Sequence, residues 1–116
     1  MNIYNNMDEK TLRKEVAQIY NKVNQEMYKV GVRKLKIEVL QDKILVFGEH
    51  QRVPALEAIH EKYPELTLTV DTTLIKEFKE RLKKELEKQL SINVKTILKD
   101  FDPVTEEAAA IIYVTT

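Results

Sequence analysis

The chain has no cysteine, a single serine, two glycines and two histidines. Without cysteine there are no disulfides, thiolate zinc sites or cysteine nucleophiles, and such a composition fits a reducing compartment. The one serine, Ser91, falls at the expected end of a long helix, outside any G-x-S-x-G elbow. Gly31 and Gly48 lie in no glycine-rich loop leading into a helix, which argues against the usual nucleotide cradles. Long hydrophobic runs are missing too. The longest, Ala108 to Val114, falls far short of the roughly 20 residues that span a bilayer, so direct membrane insertion is not expected. Met1 to Lys14 has neither an apolar core nor a cleavage pattern, so no signal peptide is expected, and the expected location is cytoplasmic. Nor is there an excess of charge of either sign. Nineteen basic and nineteen acidic residues cancel, so the basic footprint of a nucleic-acid binder is lacking.

What remains is ordinary globular material of 116 residues, expected to form a single domain over 1–116. Leu12, Val16, Ile19, Val23, Met27 and Val30 recur at spacings of three and four, which predicts a helix from Asp8 to Lys29. Asn6 or Asp8 suits its start and Gly31 its end. Period two follows. Leu35, Ile37 and Val39 alternate with polar residues, Gln41-Asp42 turns, and Ile44 to Phe47 returns; a two-residue loop puts Ile37 opposite Val46 and Val39 opposite Ile44. The returning strand is apolar on both faces and should be central. Pro54 opens a short helix that Pro64 ends at about Tyr63, with Leu56, Ile59 and Tyr63 as its buried side.

Leu66, Leu68 and Val70 alternate with threonines and predict a third strand. A cap at Asp71, Thr72 or Thr73 then starts a helix to Leu90, striped by Leu74, Phe78, Leu82 and Leu86. Val94 to Lys99 and Ala108 to Val114 form a closing hairpin around an Asp102-Pro103 turn. The expected class is α+β, with helices packed on one face of a mainly antiparallel sheet, in the order α-β-β-α-β-α-β-β.

Candidate chemistry is sparse, and no catalytic residues, metal or cofactor are expected. His50 and His60 lie ten apart, one in a link and one on a helix, which is no recognised ligand spacing. Asp100 and Asp102 would share a face of a regular strand, but Asp102-Pro103 is ordinary turn chemistry. Arg33, Lys34, Lys36 and Lys43 form a modest basic patch without interleaved aromatics. The most unusual polar stretch is Glu49-His50-Gln51-Arg52-Val53-Pro54, between a central strand and a helix start. His50 and Arg52 there could hold a small anion such as a carboxylate or bicarbonate; the simpler reading is that Arg52 pairs with a nearby carboxylate.

Five segments occur in order, spread along most of the chain from Glu15 to Pro103: Glu15 to Tyr20, Tyr28 to Lys34, Arg52 to Glu57, Leu74 to Leu90, and Asp100-Phe101-Asp102-Pro103. Together they resemble MpsC-like domains, small soluble proteins named for a component of a sodium-dependent, membrane-potential-generating system. The family often has a glycine in the final turn, where this chain has Val104-Thr105-Glu106-Glu107. The resemblance implies a role accessory to membrane machinery for ion-coupled or inorganic-carbon uptake, reached through another chain. The leading expectation is thus a non-enzymatic accessory or interaction domain, expected to bury its apolar excess against a second copy as a homodimer. The alternative is a small-anion binding domain using His50 and Arg52.

Overall fold

A computed structural model of the protein describes residues 3–116; residues 1–2, the start of the stretch read for a leader, lie outside them. The elements run α1 (Glu9–Tyr28), β1 (Arg33–Val39), β2 (Lys43–Glu49), α2 (Pro54–Ile59), α3 (Pro64–Leu90), β3 (Asn93–Phe101) and β4 (Glu107–Thr115). Four antiparallel strands form one sheet in the order β1-β2-β4-β3, so β2 is central as its two apolar faces require.

Helix α1 starts where the backbone N–H of Thr11 donates to the Asp8 carboxylate at 2.9 Å, which satisfies one of the donors a helix leaves free. It ends at Lys29, itself in the left-handed region at φ 63°. Gly31, expected to fill that place, has no positive φ and follows the cap. The first hairpin has the expected register, Ile37 opposite Val46 and Val39 opposite Ile44. Leu12, Val16, Ile19 and Val23 of α1 and Phe78, Leu82 and Leu86 of α3 are buried in one core with the inner sheet residues Ile44, Val46 and Ile112. The α+β class, with helices on one face of an antiparallel sheet, is therefore the observed one.

One expected element is corrected. Leu66 to Val70 is no strand; it belongs to α3, which begins at Pro64 and runs unbroken for 27 residues. The order is α-β-β-α-α-β-β. Pro64, read as a helix stop, is the first residue of α3, where its missing N–H costs nothing. The threonines that suggested a strand bond back into the helix. The hydroxyls of Thr69, Thr72 and Thr73 donate to the carbonyls of Glu65, Leu68 and Thr69 four residues earlier. On the helix the alternating leucines lose their common face, and Leu66 and Leu68 are 53% and 66% exposed.

Helix α2 is shorter than expected. It ends at Ile59, none of its residues is buried, and Tyr63 is exposed. His60 instead meets the buried Thr67 of α3 across 2.9 Å, which ties the α2–α3 corner together.

The final turn carries its own compensation. Glu106 sits at φ 66°, the backbone region that favours glycine. Its side chain accepts from Arg33 at 2.7 Å and its backbone carbonyl from the His50 N–H at 2.9 Å. A non-glycine residue is thus held there from two sides. Asp102 does the turn chemistry expected of it, its carboxylate accepting from the N–H of Val104 at 2.9 Å.

Candidate anion pocket

The segment after β2 places its two singled-out residues indoors. His50 and Arg52 are both buried. His50 reaches the Tyr20 hydroxyl of α1 at 3.1 Å, and its ring lies against those of Phe78 and Phe101. Burial among these rings and the nearby Lys99 cation hold the imidazole neutral, far down at about 3. The unfolded chain therefore binds a proton that the folded one refuses below pH 6.5. The protein should lose stability as pH falls from 6.5 to about 3, by up to about 1.4 kcal/mol per unit. A urea titration series should show that slope, and its absence in His50→Asn.

Arg52 has a side chain only 5% exposed. One terminal nitrogen bonds the Asp71 carboxylate of α3 and the other lies 3.5 Å from Glu57 of α2. The expected ion pair is real, but it leaves the guanidinium incompletely used: Nε is buried without a partner. Asp71, read in the sequence as a helix cap, is instead a mid-helix counter-ion.

A third residue, unflagged by the sequence, joins them. Lys99 of β3 buries its Nζ with no hydrogen-bond partner. The ammonium sits 3.3 Å above the centre of the Phe78 ring and 5.1 Å from that of Tyr20, a cation–π seat. Burial pulls its pKa down to about 7. Nothing in the strand pattern suggested an inward lysine, because β3 carries an irregularity between Val94 and Thr96. That bulge shifts the alternation by one, so that Ile97, Lys99 and Phe101 face the helices and Leu98 faces out.

Arg52, His50 and Lys99 line one cavity of about 20 Å³. A single water needs roughly 10–15 Å³ by this measure, so the cavity takes a group of a few atoms and no nucleotide. Tyr28, Leu56, Leu74 and Ile75 complete its wall with apolar surface, and Asp71 is the carboxylate that lines it. Chemically it offers two unpaired cationic donors, one of them already charge-balanced, in an apolar setting.

The other sequence candidates are drawn apart. His50 and His60 have separate partners, and among the described residues no group of three or more His, Cys, Asp or Glu could hold a metal ion. The basic patch is matched by acids: Arg33 pairs with Glu106, Lys34 with Glu49, Lys36 with Glu38 and Lys43 with Asp42. Among the described residues no helix is long and apolar enough to cross a membrane.

A family model described as "Na+-translocating membrane potential-generating system (MpsC)" matches residues 8–116. No curated protein and no solved structure matches the chain.

Proposed function

The chain belongs to the MpsC family, and from that premise we propose that it is a non-enzymatic accessory protein of a Na+-translocating system, acting as a homodimer on the cytoplasmic side and reaching the membrane through another chain. The observation that carries this reading is the outer face of the sheet, which no helix covers. Across its middle run Leu45, Ile111 and Leu98 in one cross-strand row. Phe47 and Ala109 lie side by side in the next row, flanked by Lys36 at one edge and Asp100 at the other. Phe47 is 40% and Leu98 51% exposed, an apolar band of the kind that marks a contact surface.

A second copy of the chain fits this face. Place a two-fold axis along the strands between β2 and β4. Each β1 then lies over the partner's β3, and each β2 over the partner's β4, as in aligned sheet packing. Every Phe47 meets an alanine of the other copy, large against small, and every Lys36 meets an aspartate. The zero net charge adds no long-range repulsion between copies.

Light scattering should find a dimer for the parent chain and a monomer for Phe47→Glu, which buries a charge at the middle of the interface. A parent that stays strictly monomeric at high concentration would sink the dimer.

A second reading is favoured by a separate observation, the burial of both His50 and Arg52 against one cavity. It makes the chain a small-anion binding domain, with the anion as the signal or cargo that the accessory protein handles.

A further inference from the structure

Building on the second reading, we infer that the cavity is the seat of a small monocarboxylate-type anion, whose planar head is held between Arg52 Nε and Lys99 Nζ. Three observations converge on this. The first is the orphaned donors. Among the described residues only three buried side-chain polar atoms lack a partner, and two of them are these cationic donors lining the same cavity. A buried unpaired donor costs free energy that a ligand oxygen recovers.

The second is charge. The Arg52 charge is answered by Asp71, with Glu57 at its outer side. Lys99 has Tyr20 of α1 and Phe78 of α3 against it, while His50 is held neutral and Tyr28 keeps its proton, its pKa pushed up to about 12. The one uncompensated charge in the cavity is therefore the Lys99 ammonium, and a single negative charge balances it. A phosphate dianion would leave a negative excess beside Asp71.

The third is shape. A cavity of about 20 Å³ admits a carboxylate head. Its apolar wall of Leu56, Leu74, Ile75 and Phe101 gives a second charged group no partner, and the small volume favours the smallest alkyl carboxylates.

Binding would also load Lys99 with a proton. An anion beside the ammonium favours the charged form, so the complex should take up a fraction of a proton near neutral pH. Affinity should fall as pH rises above 7.

Isothermal calorimetry on the full chain with acetate, propionate, bicarbonate, chloride and phosphate tests this. The expected result is binding of acetate and propionate, with heats that depend on the ionisation enthalpy of the buffer. Lys99→Met, which removes a buried charge and should fold well, should weaken binding at least tenfold. Arg52→Lys should weaken it also, since lysine has no Nε fork. Bicarbonate binding more tightly than propionate would keep the head group and overturn the hydrocarbon tail. Phosphate or chloride binding as well as acetate would overturn the carboxylate assignment. Binding that survives in Lys99→Met but is lost in Arg52→Lys would overturn the Lys99 seat while leaving the anion-binding reading intact. No heat from any anion would remove both.

Discussion

Stability should rise as pH increases from 7 to about 9.5, at up to about 1.4 kcal/mol per unit, and the Lys99→Met variant should lose that rise. The sign follows from where the proton sits. Burial without an acidic partner brings the Lys99 ammonium down from 10.5 to about 7. Between those values the unfolded chain keeps a proton that the folded chain has released, so raising the pH favours folding. Below 7 both states hold the proton and the Lys99 contribution is flat, at its most unfavourable. The window closes near pH 10, where Tyr4 and Tyr28 act in the opposite sense. Their folded values are raised from 10.0 to about 12, so stability falls once the unfolded tyrosines ionise. At pH 7 and below, Lys99→Met should be more stable than the parent by roughly 1–4 kcal/mol, because an unpaired buried charge is removed with nothing left behind. Urea melts across this pH range measure both effects. A parent profile that is flat from pH 7 to 9.5 would mean that the ammonium is solvated.

Asp71→Asn should be the most damaging single change at the pocket, costing about 3–5 kcal/mol of stability. The asparagine keeps the shape and removes the charge, which leaves the buried Arg52 guanidinium facing Glu57 alone. Glu57 is a poor substitute, at 3.5 Å and with its side chain mostly in solvent. The mechanical consequence is local. Helix α2 has no buried residue of its own, so the Arg52–Asp71 pair is a main tie between the loop after β2 and α3. Removing both partners, as in Arg52→Leu with Asp71→Leu, should recover much of the loss, because no uncompensated charge then stays behind. Denaturant melts with an unchanged m-value check the comparison. A cost below about 1 kcal/mol for Asp71→Asn would show the pair to be solvent-screened.

The sequence made some of this plain and concealed the rest, for identifiable reasons. The first hairpin could be placed residue by residue, because Ile37, Val39, Ile44 and Val46 can only share one covered face when the turn is Gln41-Asp42. Helix α1 was equally clear from its stripe. The start of α3 was concealed because Leu66, Leu68 and Val70 show period two by chance, within a run of β-branched residues. A helix overrides that pattern by letting the threonine hydroxyls bond four residues back. The loop holding His50 and Arg52 stood out by composition, and the structure gives it a cavity. Lys99 did not stand out. In the sequence it alternates with Leu98 as any edge lysine would, and only the bulge near Val94 turns it inward. Bulges arise from strand pairing over the whole sheet, so they leave little local trace. Asp71 was placed at a helix start because the helix was begun eight or more residues late, which hid its role as the counter-ion of Arg52.

The dimer and the pocket occupy opposite faces of the sheet and stand or fall separately. Of the two, the pocket makes the sharper physical claim, since everything proposed for it depends on Lys99 lying buried and unpaired in the cavity it shares with Arg52. The measurement that tests this most directly is an NMR pH titration of the Lys99 side chain in the full protein, free of added carboxylate. The account predicts a midpoint near 7, moving upward when propionate is added. A midpoint near the ordinary lysine value of 10.5, unmoved by propionate, would contradict it.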